Sequence, residues 1–143
     1  MSSLGLGLLS FFLSVYSTVP RTIEQAFLEN DAGRLASLFS NESPLLISLP
    51  EPLSFSDLVS REQAALVFER IFRSYPTFEF YPESGSAPAF DRGGFILKVR
   101  WSFSSRSTSD QKPLRVFLRL KPETRPGRKK PLWAIVEIRA EPV

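Results

Sequence analysis

The sequence predicts an α+β fold in which helices cover one face of a curved antiparallel sheet. Apolar residues recur at helical spacing in the first half of the chain, up to Ser74, whereas the second half contains runs in which apolar and polar residues alternate. Short polar segments rich in Gly, Pro and Ser separate those runs. Connections of that length join antiparallel strands, since parallel strands need long crossovers. Helices followed by hairpin-linked strands are typical of the α+β class.

Two short helices are predicted at the start of the domain. Thr22 and Gln25 have the spacing of a capping box, in which each side chain bonds the backbone of the other, and this opens a helix through Glu29. Asp31 is a suitable N-cap for a second helix over residues 32–39, because its carboxylate can accept a bond from a free N–H of the first turn.

The main helix is predicted to begin after Ser60. Ser60 and Gln63 form a second capping box, and the apolar stripe of this third helix continues to about Ser74. Pro76 prevents continuation because it lacks the backbone N–H that a helix needs. Residues 45–50 between the second and third helices are predicted to form a short strand.

Four further strands are predicted after the third helix, at 77–82, 95–103, 114–120 and 132–139. Residues 54–59 are interpreted instead as an extended or looped connection, residues 84–89 as a loop, and Gly93-Gly94 as a turn. Strict alternation places these side chains toward the helices: Phe95, Leu97, Val99, Trp101, Phe103, Leu114, Val116, Leu118, Leu120, Leu132, Ala134, Val136 and Ile138.

The composition fits a single well-packed domain without histidine or cysteine chemistry. The chain has 143 residues, of which 43% are hydrophobic and 13 are Phe. The absence of His and Cys excludes Ser-His and thiolate nucleophiles and the usual zinc sites. We therefore expect no cofactor and no metal site.

The first residues are typical of a secretory signal segment. Residues 1–20 contain no charged side chain, and the apolar run over 4–15 has the length of a signal-peptide core, although no Lys or Arg precedes it. Cleavage after Ser17 would leave one domain over residues 18–143. The run is too short to span a membrane. We expect an exported, periplasmic or secreted, protein; the alternative is a cytoplasmic protein in which 1–17 pack on the domain as a helix.

Charge is distributed unevenly along the chain. Residues 1–83 carry 5 Lys and Arg against 10 Asp and Glu, whereas residues 84–143 carry 13 against 5. The strand half is therefore basic, which suits either an anionic partner or simply solvated strand surfaces. The "RPGRKK" segment, residues 125–130, is interpreted as a solvated basic turn.

The order of these elements resembles a known superfamily. "FLENDAGRLASLFS", a short strand, a helix with Ser60, Gln63, Ala64, Phe72 and Pro76, and four meandering strands are similar to the nuclear transport factor 2-like, or cystatin-like cone, superfamily. The resemblance covers roughly residues 21–140 and is strongest to small exported bacterial domains of unknown function. It implies a cone, with the long helix packed across a bent sheet around a cavity that some relatives use for ligands or catalysis and others fill.

Catalysis would need carboxylates and tyrosines, because relatives that isomerise or dehydrate small molecules use an Asp or His base with Tyr donors. The candidates here are Asp57, Glu79 and Asp91 as bases, with Tyr75 and Tyr81 as donors. The inward positions of the long strands are all apolar, so no carboxylate is expected against the cavity wall. We expect no catalytic residues; the alternative is a small-molecule isomerase or hydrolyase.

Eight apolar side chains are expected to line the cavity, where a small apolar ligand is a further expectation. They are Phe68, Phe72, Phe80, Leu97, Val99, Trp101, Val116 and Leu118.

The outer sheet face is the predicted interaction surface. It combines large apolar groups with cations, which is typical of protein interfaces. The residues assigned to it are Ile96, Phe117, Trp133, Ile135, Arg100, Arg115 and Arg119. In the resembled superfamily this face commonly forms a homodimer, so a homodimer or a protein partner is expected. Phe117 and Trp133 covering each other as a cross-strand pair is an alternative, and nucleic acid binding is a disfavoured third.

Overall fold

A computed structural model describes residues 21–83, 89–91, 93–108 and 110–143. The helices are residues 21–28 (α1), Ala32–Ala36 (α2) and Arg61–Ser74 (α3). The strands are Leu45–Leu49 (β1), Phe55–Val59 (β2), Thr77–Pro82 (β3), Ala89–Asp91 (β4), Gly94–Ser104 (β5), Gln111–Glu123 (β6) and Leu132–Pro142 (β7). The predicted signal segment and most of the predicted loop at 84–89 lie outside the described residues. No helix among the described residues is long and apolar enough to cross a membrane.

The strands form one curved sheet whose inner face is covered by the helices. Its order is β2-β1-β7-β6-β5-β3, with β4 also paired to β5. The β1–β7 pair is parallel and the other pairs are antiparallel. A single apolar core joins α1, α2 and α3 to the inward residues of the sheet. The predicted α+β architecture is confirmed.

Local signals set the bounds of α3 as predicted. The Ser60 side chain accepts a bond from Gln63 N at 3.1 Å, and Gln63 Oε1 accepts one from Ser60 N at 2.9 Å. The helix ends at Ser74, and β3 begins at Thr77, immediately after Pro76.

The second helix is shorter than predicted because the following segment joins the sheet. Asp31 is its N-cap and accepts a bond from Arg34 N at 2.9 Å, as expected. The helix ends at Ala36 rather than at residue 39. Ile135 N then donates to Leu38 O at 2.7 Å. Backbone bonding to β7 therefore replaces the last predicted turn of helix.

Residues 54–59 form a strand, so their interpretation as a loop was wrong. Phe55–Val59 pairs along its whole length with β1. Ser54, at φ 48°, closes the tight connection by donating its N–H to Pro50 O at 3.0 Å. Pro50 and Pro52 thus lie in the turn of a β-hairpin.

A β-bulge in β7 overturns the facing predicted for the residues before it, among them Trp133 and Ile135. Arg119 pairs with Glu137, but the next residue of β6, Leu120, pairs with Ile135, which leaves Val136 as the extra residue. Ile135 is consequently fully buried in the core. An extra residue reverses which side chains of a strand face inward. Alternation counted through residue 136 therefore assigns the wrong face to the residues before the bulge.

Trp133, like Ile135, faces the inner side of the sheet. Its ring contacts Phe95 edge to face, with centroids 4.8 Å apart. The alternative in which Phe117 and Trp133 cover each other as a cross-strand pair is therefore wrong, because Phe117 pairs with Arg139 and Trp133 with Pro122.

Aromatic side chains fill the centre of the cone. Phe27 of α1 stacks on Phe80 with centroids 4.3 Å apart, and its edges contact Phe68, Phe72 and Trp101 at 5.1–6.0 Å. All eight predicted cavity-lining residues are buried members of this core. That they line a cavity, and that the cavity holds a ligand, stay predictions.

One carboxylate, Glu123, is buried at the end of β6. It accepts bonds from Ser40 Oγ at 2.5 Å, Asn41 N at 2.8 Å and Arg125 Nε at 3.3 Å. Burial, the largest influence, raises the pKa of the Glu123 carboxyl, but the hydrogen bonds from Ser40, Asn41 and Arg125 together outweigh it and hold the pKa below its usual value. The ionised carboxylate therefore ties the segment after α2 to the sheet.

Arg125 completes the same cluster and is not part of a solvated tip. Its guanidinium donates to Ser37 O at 3.1 Å and to Phe39 O at 2.7 Å, and only 15% of its side chain is exposed. The interpretation of residues 125–130 as a turn holds at Gly127, whose φ is 81°.

Glu123→Gln should lower the free energy of unfolding at pH 7 by about 2 kcal/mol, the size of a buried charge-assisted hydrogen bond. A carboxyl whose pKa is lowered by folding stabilises the protein above its unfolded pKa and loses that contribution as pH falls through the folded pKa. Urea unfolding of both proteins should therefore show a difference that shrinks below about pH 4. Glu62→Gln, at an exposed site on α3, is the matched control. A pH-independent difference would contradict this role of Glu123.

Candidate interaction surface on the outer sheet face

Phe117 lies at the centre of the outer sheet face, the side of the sheet opposite the helices. Its cross-strand neighbours are Lys98 on β5 and Arg139 on β7. Lys98 Nζ is 6.0 Å and Arg139 Cζ 5.0 Å from the ring centroid, within the range of cation–π attraction. Phe117 is half-buried by these two side chains, which leaves part of an aromatic ring facing outward between two cations.

Lys98, Phe117 and Arg139 form one row of facing residues across β5, β6 and β7, and the row next to it combines apolar and charged groups. Ile96 pairs with Arg119, Arg119 with Glu137, and Glu137 with Leu46 of β1. Leu46 is 38% exposed, and Leu58, its partner on β2, is 60% exposed. The row therefore carries charges at its centre and apolar side chains at both ends.

Ion pairs join the side chains around a third row, which consists of Arg100, Arg115 and Glu141. Glu83 Oε1 accepts a bond from Arg115 Nε at 2.9 Å, and Glu83 Oε2 lies 3.3 Å from Lys98 Nζ. Arg115 Nη1 also approaches Glu141 Oε1 at 3.5 Å. The hydrogen bond from Arg115, supported by Lys98, holds the pKa of the Glu83 carboxyl below its usual value, and Glu83 raises the pKa of the Arg115 guanidinium.

Arg100 stands apart from that network. It is directly opposite Arg115 in the β5–β6 pair. Its Nε is buried and has no hydrogen-bond partner, and no ion pair joins its guanidinium to a described carboxylate. Arg100 is thus a cation beside another cation, without a compensating anion of its own.

The structure brings together five of the seven residues predicted for this face: Ile96, Arg100, Arg115, Phe117 and Arg119. Trp133 and Ile135 face the core instead. Sequence reasoning missed the acidic contribution of Glu83 and Glu141. Both lie just beyond the predicted strand bounds, where alternation gives no signal, and the observed β7 extends far enough to include Glu141.

The candidate acid–base residues do not converge. Asp57 is exposed on β2, and its carboxylate accepts a bond from the adjacent Leu58 N. Glu79 and Tyr81 are exposed on β3, at the opposite edge of the sheet. Five strand spacings separate these edges, about 24 Å along the sheet. Asp91 lies in β4.

Tyr75 lies at the C-terminal end of α3, where its ring contacts Phe103 with centroids 5.5 Å apart. None of the hydrogen bonds of the described residues joins it to a carboxylate. Those residues also contain no group of three or more acidic side chains that could hold a metal ion.

Solved structures similar to this chain share its fold at low sequence identity. A ketosteroid isomerase-like protein from Erwinia carotovora atroseptica has a TM-score of 0.66 at 12% identity, over 92% of this chain and 95% of that one. A DUF4783 family protein from Bacteroides uniformis has a TM-score of 0.63 at 13% identity, over 88% and 98%.

A third similar structure is a nuclear transport factor 2-like protein from Cytophaga hutchinsonii, with a TM-score of 0.61 at 11% identity, over 91% and 97% of the two chains. No protein-family model matches the sequence, and no curated protein matches it. At these identities the similarity concerns the fold and not the activity. The chain therefore has the nuclear transport factor 2-like cone fold that its order of elements suggested.

Proposed function

We propose that this protein is a non-catalytic binding domain that pairs with a second copy of itself through the outer sheet face. The observation that carries the proposal is the partly exposed Phe117 ring at the centre of that face, held between Lys98 and Arg139. Aromatic and Arg side chains of this kind supply most of the binding energy in protein interfaces.

Charge is self-complementary in one row of the face, Arg100–Arg115–Glu141. In that row the cation Arg100 lies on β5 and the anion Glu141 lies on β7, on the other side of the central strand β6. In a two-fold dimer each copy offers the same patch to the other. A two-fold axis parallel to β6 places β5 of one copy over β7 of the other, so that Arg100 meets the partner's Glu141. In the row of Phe117 the same axis places Lys98 opposite the partner's Arg139, so the charges of that row do not complement each other.

That arrangement also supplies a partner for Arg100. Arg100, Arg115 and Glu141 lie in one row across β5, β6 and β7. Rotation about an axis along β6 keeps this row in register and places the partner's Glu141 opposite Arg100. The same rotation places the two Phe117 rings next to each other at the centre of the interface, where aromatic pairs add to the energy of burial.

A binding role is supported further by the contents of the cone. Its centre contains the stacked ring of Phe27 rather than a polar group. The buried carboxylate, Glu123, is held by Ser40, Asn41 and Arg125 at the rim of the sheet. Catalysis by a general acid or base requires an ionisable side chain within reach of a bound substrate. None of the described candidate residues lies at the centre of the cone.

Phe117→Glu should convert the dimer to a monomer, because it places two carboxylates against each other at the two-fold axis. Sedimentation equilibrium of the wild type should give the mass of two chains at tens of micromolar protein, and the variant the mass of one. Leu66→Glu is the control, since Leu66 is 59% exposed on α3, away from the face. It should leave the dimer intact. A monomeric wild type, or a dimer that survives Phe117→Glu, would refute the interface.

Charge reversal tests the geometry separately. Arg100→Glu should weaken the dimer by at least tenfold in dissociation constant, and the double variant Arg100→Glu with Glu141→Arg should recover most of the loss, because the ion pair is re-formed with opposite sign. Failure of the double variant to recover would exclude the axis along β6 while leaving other dimers through the same face.

We propose in addition that the domain is exported after removal of residues 1–17, which is supported by the uncharged apolar run over 4–15. Intact-mass analysis of the protein recovered from the cell envelope or the medium should give a chain that begins at Thr18. A full-length chain confined to the cytoplasm would contradict export.

A further inference from the structure

A groove crosses the helical side of the molecule between the C-terminal half of α3 and the β1–β2 turn. Its cavity is about 390 Å³, within the range of small-molecule sites. Six of its described lining residues are apolar or aromatic: Pro52, Leu53, Phe55, Val67, Ile71 and Tyr75. Four of these, Leu53, Phe55, Val67 and Tyr75, are only partly buried against the core. The groove therefore exposes apolar surface that no other described element covers.

The charge in this groove comes from one side chain, Arg70. Two other arginines of α3 are engaged: Arg73 donates to Glu69 at 3.1 Å, and Arg61 donates to Asn41 Oδ1 and Ala36 O. Arg70 has no ion pair or hydrogen bond with any described residue and is exposed. A free cation thus stands at the edge of an apolar groove.

Hydroxyl groups add to the polar edge. Ser54, Ser74 and Tyr75 line the groove together with Arg70. The Tyr75 hydroxyl makes no hydrogen bond with the described residues, so it is free to donate one. A guanidinium together with hydroxyl donors is a suitable arrangement for a carboxylate, whose oxygens accept several bonds.

We propose that this groove binds an amphipathic monocarboxylate with an alkyl body, its chain on the apolar walls and its carboxylate on Arg70. A neutral apolar ligand would leave Arg70 and the hydroxyls unused, whereas a strongly charged ligand would leave the apolar walls uncovered. One anionic head on an apolar body matches both halves of the groove.

A second cavity of about 240 Å³ adjoins the groove through Pro52 and Tyr75. It reaches the β5–β6 hairpin and carries Lys112 and Asp110, whose charges oppose each other. The tail of a longer ligand extends into it past the edge of Phe103. The site lies outside the packed interior of Phe27 and on the opposite side of the sheet from Phe117, so occupancy does not depend on dimer formation.

Titration with sodium decanoate, kept below its micelle concentration at pH 7 and followed in ¹H–¹⁵N correlation spectra, tests the proposal. Saturable shifts should appear at the amides of residues 53–55 and Tyr75, with a dissociation constant on the order of 0.1 to 1 mM, typical of a small ligand of this size. Arg70→Gln should weaken decanoate binding at least fivefold. Arg73→Gln, one turn away and paired with Glu69, should leave it within twofold.

Two further ligands separate the contributions of head and chain. Decanol should bind the wild type and Arg70→Gln with equal affinity, because it lacks the charge that Arg70 recognises, and acetate should not bind. Val67→Glu should abolish decanoate binding by placing an anion on the groove wall, with an otherwise unchanged spectrum as the check of folding. Shifts that do not saturate, shifts confined to core residues or to the outer face, or equal decanoate affinity for wild type and Arg70→Gln would overturn the proposal.

Discussion

The stacking of Phe27 on Phe80 is the contact on which the architecture and the account of function depend. It joins α1 to an edge strand of the sheet across the centre of the cone. The edges of the Phe27 ring meet Phe68 and Phe72 of α3, so one side chain links both helices to the sheet. The rings pack against one another, and the Trp101 indole N–H donates a hydrogen bond to Thr77 Oγ1 at 3.0 Å. Recognition is therefore expected at the surfaces of the cone rather than inside it.

The two surfaces that we propose for recognition lie on opposite sides of the sheet. The outer face is strongly charged, with Phe117 at its centre, whereas the groove beside α3 is apolar with Arg70 as its charge. The basic second half of the chain contributes the cations of the outer face, but Glu83, Glu137 and Glu141 offset part of that charge locally. The proposed pairing with a second copy of the chain therefore rests on local charge pairs rather than on net charge.

Features with local causes were predictable from the sequence. Ser60 and Gln63 bound each other's backbone as their spacing required, and Pro76 ended α3 where predicted. The inward residues of β5 and β6 are buried as the alternation indicated, because no bulge interrupts the β5–β6 pair. The neighbouring strand constrains position 94. A Cβ at Gly94 would lie 2.2 Å from Leu120 O, so the close approach of β6 requires glycine there.

Features that depend on distant partners were not predictable. The bulge at Val136 arises from the register between β6 and β7, and alternation within β7 carries no trace of it. The strand over Phe55–Val59 depends on the free edge of β1. Arg125 looked like one cation of a polar turn, yet it binds carbonyls more than 80 residues away in sequence. On the candidate surface, this is why the five residues of β5 and β6 were placed correctly while two from β7 were not.

Benzene binding to the interior tests the central claim most directly. If the rings around Phe27 fill the cone, ¹³C-methyl spectra of the wild type should show no saturable shifts of core methyl groups, such as those of Val99 and Leu118, on addition of benzene. Phe27→Ala should open a dry apolar cavity that binds it, as apolar cavities of this kind do. Saturable benzene binding in the wild-type core would contradict the account, since it would show that the interior already holds space for a ligand.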